Sequence, residues 1–475
     1  MQTNHSLYYL VMKSGAGLIG LLSISVFTRF MRPDEYGIYA TLLSGLGISY
    51  AIFFQWLSQG LGRFYVQGQE RNIALVSTVA YGFVLAMLVS TVIWGIALVC
   101  IPESPLKRWI LYLPPLAFSY AWYELNLRIA NASLQPKLYG YISFSKASLG
   151  LLMGVLLYRY FGLQGVLGGL VFSAIVTPFF WMRNSWQALS VKAVDKAIFK
   201  KLVVYGLPLA ITVTLTLVVD VSDRFIIVAL LDTEQAGLYA ASYDLVVQTM
   251  GFVVAALYLA AFPLLVQDID TKHSQKMVSG LAHYSTVLLA ASVPILVIFV
   301  VLAANISGVV FGLPFRDTAT QLIPIIACGI FVGAFKIHFF DVVFQLGQKT
   351  LQQIWPALLT ATMNVVLNLL WIPSYGIAGA AYATLAAFLL GCMASAAMAW
   401  RVIPLKLPTA DFLKIGSAGV CMYLLLLGVQ SFSGWLALIL QIFAGLALYA
   451  VLILVLNVAE VKQSLSTHWP KKIEK

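Results

Sequence analysis

Charge is scarce in this chain. Of its 475 residues only 10% are charged, against 61% hydrophobic, and the mean hydropathy is +0.91. A soluble globular chain carries about 25% charged and about 45–50% apolar residues. A soluble enzyme, a disordered chain and a fibrous protein are therefore excluded. Cysteine is scarce too: Cys100, Cys328, Cys392 and Cys421 all sit in apolar stretches, with no paired or metal-ligand spacing. They are expected as small core residues. No G-x-x-x-x-G-K-[ST], H-E-x-x-H or Cys/His cluster occurs, so ATP is not the direct energy source and neither cofactor nor metal is expected. The N-terminal apolar run lacks a basic leader and an A-x-A-like site, which predicts a retained first span.

A transmembrane helix needs roughly 20 apolar residues. Polar or turn-forming breaks separate fourteen such stretches, predicting an all-α polytopic membrane protein. They run approximately 7–28, 37–57, 74–100, 109–131, 139–160, 163–183, 200–220 and 235–262, then 280–304, 319–345, 352–373, 376–400, 411–430 and 434–457. The net charge of +11 would suggest nucleic acid in a soluble protein. In a membrane protein it follows from the Lys and Arg excess of cytosolic loops, and no nucleic-acid partner is expected. With the N-terminus cytosolic, nineteen of the 29 basic residues fall in inner loops, seven in outer loops, and Lys13, Lys146 and Lys336 lie within spans. Both termini are therefore expected in the cytosol.

An internal repeat organises the chain. Arg32-Pro33-Asp34-Glu35-Tyr36-Gly37-Ile38-Tyr39-Ala40 follows span one, and 200 residues later Asp232-Thr233-Glu234-Gln235-Ala236-Gly237-Leu238-Tyr239-Ala240 follows span seven. Phe161-Gly162-Leu163-Gln164-Gly165 joins spans five and six, and Tyr375-Gly376-Ile377-Ala378-Gly379 joins eleven and twelve, an offset of 214. Each repeat unit holds six spans, an even number, so the copies share one orientation. Parallel repeats of this kind are a transporter architecture. The expected organisation is an N-terminal six-helix lobe (1–183), a cytosolic linker (184–201) and a second lobe (202–400). An extra helix pair (401–457) and a cytosolic tail (458–475) complete it. Val191, Val194 and Ile198 share a helical face in the linker, so it is expected along the membrane surface, a solvated linker being the alternative.

Three segments resemble a known family. Phe27-Thr28-Arg29-Phe30 through Ala40 is similar to its R-x-L-G-P-E-E-F-G-x-Y-A stretch. Tyr205-Gly206-Leu207-Pro208-Leu209 with Asp223-Arg224-Phe225 resembles Y-G-L-P-L … D-R-F, and Asn364, Asn368 and Ile372 to Ala381 resemble N-x-x-x-N … I-P-x-Y-G-I-x-G-A-A. These are marks of the polysaccharide transport branch, including O-antigen flippases, of the multidrug/oligosaccharidyl-lipid/polysaccharide exporter superfamily. Arg32 departs from the usual Gly, and the last two spans exceed the twelve of the simplest members. The resemblance implies two parallel six-helix lobes forming a V-shaped, alternating-access cavity. Its cargo would be an undecaprenyl-pyrophosphate-linked oligosaccharide, moved from the cytosolic to the periplasmic leaflet of a bacterial inner membrane. Membrane lipids, H⁺ or Na⁺, and polysaccharide polymerase machinery are the implied partners.

Charges inside a membrane usually face a bundle interior or a water-filled cavity. For a pyrophosphate, the candidate cavity cations are Lys146, central in span five, Lys336 in span ten, Lys13 near the cytosolic mouth, and Arg128. Gly150 and Gly154 continue the Lys146 face and would leave room beside it. Glu124 and Arg128 have ion-pair spacing, so a structural pair is the alternative for both. Lys336 and Asp341 are five apart, on different faces of an α-helix, and would need other partners. Asp220 closes a stripe with Thr212 and Thr216, and a carboxylate in low dielectric can bind a proton or Na⁺. Asp220, Asp341 and Glu124 are therefore the ion-coupling candidates, with an Asp220–Arg224 pair as the alternative for Asp220. A glycan polymerase or ligase, or a cation-coupled small-molecule exporter, are the competing functions. Short outer loops oppose the first, and a cation-rich cavity opposes the second.

Overall fold

The computed structural model describes residues 2–65, 71–100, 107–182, 186, 189–270 and 274–458. Within its helices the side chains of 2–14, 71–72, 212, 215–216, 219, 263, 267–270 and 274–276 lie outside that description. The helices are α1 (Gln2–Phe30), α2 (Pro33–Phe53), α3 (Gln55–Phe64), α4 (Arg71–Cys100), α5 (Lys107–Ile110), α6 (Leu113–Ala132), α7 (Pro136–Phe161) and α8 (Leu163–Met182). They continue as α9 (Lys196–Leu230), α10 (Thr233–Asp270), α11 (Ser274–Val301), α12 (Ala303–Val310), α13 (Arg316–Phe335), α14 (Asp341–Leu346), α15 (Ile354–Val402), α16 (Thr409–Val429) and α17 (Trp435–Val455). No strand occurs among the described residues.

The protein is an all-α, multi-pass membrane protein. Among the described residues ten helices are long and apolar enough to cross a bilayer, with the long α15 counted once. Gly376 breaks α15 into two arms, having φ 60° and ψ −146° inside an otherwise helical run. That second arm, with α1, α6 and α9, brings the described segments to the fourteen expected.

The first compact unit is Met1–Ala240 and the second is Ala241–Lys475. The division falls inside α10, eight residues past the start of that helix at Thr233. Packing places α9 and the first turns of α10 with the first unit. Gly206 of α9 lies against the Trp56 carbonyl of α3, and Gly60 of α3 lies against Leu202. A division by packing is a different property from the sequence repeat, whose copies begin at α1 and α9.

Small residues let the helices approach, as helix packing in lipid requires. A Cβ on Gly169 of α8 would stand 2.8 Å from the Gly154 nitrogen of α7, and one on Gly150 3.1 Å from Ser173 Oγ. The Gly150/Gly154 face is thus filled by α8 and Phe27. Gly162 and Gly376 adopt nearly the same conformation, φ 56° ψ −141° and φ 60° ψ −146°. A Cβ on Gly165 would strike the Leu157 carbonyl, and one on Gly379 the Trp371 carbonyl. Both contacts also repeat at the offset of 214.

Two sequence expectations are corrected here. The linker forms no amphipathic surface helix among its described residues. Before α9 begins at Lys196, residues 189–195 hold only the 3₁₀ turn Val191–Ala193, with Val191 91% exposed. Its backbone is bound instead to the first unit: Ser190 N–H donates to Ser77 Oγ at 3.1 Å and Asp195 N–H to Thr78 Oγ1 at 3.0 Å. Asp195 then caps α9 by accepting from the Ala197 and Ile198 amides, which stops the helix from extending back into the linker. The cysteines are all free, but Cys100 and Cys421 are exposed rather than core, on apolar helix faces that suit lipid. In the second unit, Tyr449 Oη donates to the Ala290 carbonyl at 2.9 Å, and Asn305 Nδ2 donates to Gln441 Oε1 at 3.0 Å. These bonds dock the α16–α17 pair on α11 and α12.

Candidate functional site

Lys146 in the first unit and Lys336 in the second each stand among charged and aromatic or polar side chains, and the two clusters are built differently. In the first unit α6 presents Tyr120, Tyr123, Glu124 and Arg128, and α7 presents Lys146. The Lys146 Nζ stands over two aromatic faces, 5.4 Å from the centroid of Tyr123 and 5.7 Å from that of Tyr120. Both distances are within cation–π range. Among the described residues Glu124 is the carboxylate whose field reaches Lys146, and it does so from beyond ion-pair distance. Glu124 lies one turn of α6 after Tyr120 and one turn before Arg128, whose field reaches it. The Arg128 stem lies beside Gly62 of α3, where a Cβ would come 3.0 Å from its Cδ.

Neutral polar groups complete this cluster. Tyr50 of α2 stacks edge-on to Tyr120 at 5.1 Å and donates to Ser58 Oγ at 2.9 Å. Asn126 accepts the Trp186 indole N–H at 2.6 Å. The expected Glu124–Arg128 ion pair is therefore not a contact pair. Sequence reasoning missed Tyr120 and Tyr123, although Tyr120, Glu124 and Arg128 recur at i+4 on one face.

In the second unit Lys336 Nζ bonds Asp341 Oδ2 at 2.8 Å, and both residues are buried. Ser395 Oγ donates to Asp341 Oδ1 at 2.7 Å. This overturns the expectation that five-residue spacing separates the two charges. Residues Lys336–Phe340 form a π-helical turn, whose wider pitch returns residue i+5 to the face of residue i. Gly391 admits the lysine stem, since a Cβ there would sit 3.1 Å from Lys336 Cε and against Thr360. His338 packs edge-on to Tyr258 at 5.6 Å.

The remaining candidates are dispersed. Lys13 lies on α1, and its side chain is outside the described residues, as are those of Thr212 and Thr216. Asp220 is half-buried on α9, in the field of Asp223 and Arg224. Asp223 accepts the Tyr239 hydroxyl at 2.6 Å, while Arg224 reaches across to α2 and donates to Ser44 Oγ at 3.0 Å. At the end of α1 the exposed Arg32 forks onto Asp34, at 3.0 and 2.6 Å. That hydrogen-bonded carboxylate raises the guanidinium above its ordinary pKa. Tyr158 of α7 donates to Glu35 at 2.7 Å and closes the same corner. No group of three or more His, Cys, Asp or Glu suited to a metal ion occurs among the described residues.

Residues 26–320 match the family model described as polysaccharide biosynthesis protein. The chain belongs to that family. This polysaccharide biosynthesis protein is 20% identical over 386 residues to the "Putative O-antigen transporter" of Shigella flexneri, covering 77% of this chain and 89% of that one. Its fold is shared with the lipid II flippase MurJ in an inward closed conformation. That comparison gives a TM-score of 0.77 at 14% identity, over 95% of this chain and 99% of the other. An inward-facing multidrug transporter of the MATE family and MOP superfamily gives 0.55 at 14% identity, over 85% and 95%. The chain is thus a member of the polysaccharide biosynthesis protein family with a fold shared by a lipid flippase and a multidrug transporter. The fold alone is common to flippases and drug exporters, so the charges of the site must separate them.

Proposed function

We propose that the protein flips undecaprenyl-pyrophosphate-linked oligosaccharide repeat units from the cytosolic to the periplasmic leaflet of a bacterial inner membrane. It would do so by alternating access of a cavity between two six-helix lobes, driven by an ion gradient, with both termini cytosolic. It makes and breaks no covalent bond; its work is to bind, turn and release. A polymerase machinery would consume the flipped unit.

One observation carries this reading: the Lys146 ammonium is held on ring faces and not by a carboxylate in contact. Burying a phosphate in a membrane interior requires a compensating cation, because an unpaired buried charge costs several kcal/mol. An ammonium already locked in a contact ion pair must break that pair to serve, which is the situation of Lys336. Lys146 needs no such exchange. We therefore assign Lys146 as the principal phosphate-binding cation, with Arg128 of α6 as a further candidate, and Lys336–Asp341 as the brace of the second unit. Lys13 remains the candidate for the entry side. Asp220 retains its proposed part in ion coupling, because its own partners, Asp223 and Arg224, are each bonded elsewhere.

The cargo is tested in cells lacking the protein. They should accumulate the lipid-linked repeat unit in the cytosolic leaflet while surface polymer disappears. Continued display of polymer with only its chain-length distribution altered would overturn the flippase reading and favour a polymerase.

A further inference from the structure

Two polar side chains in the helices of the second unit have unused hydrogen-bonding capacity. His338 and Gln345 lie within the apolar stretch Leu313–Leu346, and both are half-buried. Gln345 Oε1 accepts from Tyr258 Oη of α10 at 3.2 Å. Among the described residues the Gln345 amide nitrogen has no partner, and neither ring nitrogen of His338 has one. Hydrocarbon cannot satisfy such groups, so within a span they belong on a bundle interior or a water-filled space. We propose that Tyr258, Phe262, His338 and Gln345 form a subsite for a sugar ring of the cargo's glycan. This rests on the proposed lipid-linked cargo, whose phosphate is assigned to Lys146 of the first unit.

The rings form a stepped surface. Tyr258 lies 5.1 Å from Phe262 at an interplanar angle of 36°, and 5.6 Å from His338 at 63°. All three are half-buried, so part of each ring remains accessible. The π-turn produces this arrangement. Lys336 and Asp341 are drawn towards Gly391 and Ser395 of α15, while His338, between them in sequence, meets Tyr258 of α10. A sugar ring combines an apolar C–H face with a rim of hydroxyls. The C–H face suits the negative face of an aromatic ring. Imidazole can donate at one nitrogen and accept at the other, and a primary amide donates, so both can serve the rim. Phosphate suits this surface poorly, because the cation of the turn, Lys336, is closed onto Asp341. The corresponding spans of the first unit carry a similar edge-on pair, Tyr50 of α2 with Tyr120 of α6. There Tyr50 is buried and its hydroxyl is used by Ser58. The repeat has thus kept an aromatic pair in both units and left polar groups unused in the second.

The test compares two lipids that differ only in the glycan. One is undecaprenyl pyrophosphate, and the other is the lipid-linked repeat unit extracted from cells lacking the protein. Both are titrated into the full-length protein in nanodiscs. The parent should bind the glycosylated lipid about tenfold more tightly, the worth of one or two hydrogen bonds with ring packing. His338→Phe keeps a ring and removes both nitrogens, and Tyr258→Leu removes the aromatic face. Each should bring the two affinities to within about twofold and leave undecaprenyl pyrophosphate binding unchanged. Lys146→Ala should instead weaken both lipids alike. Equal binding of the two lipids by the parent overturns the subsite while upholding the phosphate site. A variant that weakens both lipids equally also overturns it, since that is the signature of a packing role, and either variant recovered folded decides the matter. A parent that binds neither lipid removes the cargo reading and the inference together.

Discussion

Gly37 and Gly237, 200 residues apart in sequence, lie back to back in the first unit. A Cβ on Gly37 would stand 2.8 Å from the Gly237 nitrogen and one on Gly237 2.7 Å from the Gly37 nitrogen. Each would also strike a carbonyl of the other turn, that of Thr233 or Pro33. The contact is reciprocal, as expected where two copies of one motif meet about a local two-fold relation. Glycine is required on both sides, because backbone faces backbone and neither carbonyl can turn away.

Gly37→Ala and Gly237→Ala should each destabilise the protein by about 1–3 kcal/mol, the usual range for overpacking. Together they should cost less than the sum, since both relieve themselves by opening the same contact. Thermal unfolding midpoints of the single and double variants, purified in one detergent, check this. Additive losses would contradict a shared contact.

Gly162 and Gly376 make a parallel case through backbone strain. Their φ of 56° and 60°, with ψ of −141° and −146°, belongs to a region that is essentially restricted to glycine. Neither has a neighbour within 4 Å of a Cβ position, so strain acts alone there. Alanine at either position should cost about 1–3 kcal/mol, with nearly equal losses at the two sites. Unequal unfolding midpoints would mean the two hairpins are not equivalent.

The Lys336–Asp341 pair predicts a change in protein amount. Removing one partner of a buried pair typically costs about 3–5 kcal/mol, whereas replacing both by apolar residues of similar volume is often neutral. Lys336→Ala and Asp341→Ala should each lower the protein recovered from membranes. The double substitution Lys336→Met with Asp341→Leu should restore much of it. Quantitative blotting of membrane fractions reads the outcome.

Much of this was legible in the sequence. Fourteen spans, two glycine-marked hairpins at an offset of 214 and a repeated Gly-aliphatic-Tyr-Ala turn are local patterns, and locality is what a sequence displays. The π-turn was not legible, since Lys336-Ile337-His338-Phe339-Phe340 contains no residue that excludes an ordinary α-turn. The linker's attachment also left no pattern: Ser190 and Asp195 donate backbone N–H groups, which every residue but proline carries. At the Lys146 site the charged residues were visible, but the aromatic rings that receive the ammonium lie on another helix more than twenty residues earlier.

Topology gives an independent check of the even span count. Reporters fused near residues 190 and 405 should read cytosolic, and those near 232 and 316 periplasmic. A reporter after α17 should agree with the N-terminus; the opposite side would require an odd number of crossings.

The central claim is that Lys146 guides a phosphate. At 4 Å and an effective dielectric near 20, one unit charge pair is worth about 4 kcal/mol before desolvation. Even a third of that alters a rate about tenfold. The decisive measurement is export per protein molecule, obtained as surface polymer divided by the amount of protein in the same membranes. Lys146→Ala should lower this ratio at least about tenfold at normal protein level, and Lys146→Arg, which keeps the charge in another shape, should retain part of it. A normal ratio for Lys146→Ala, with only the protein amount reduced, would contradict the account.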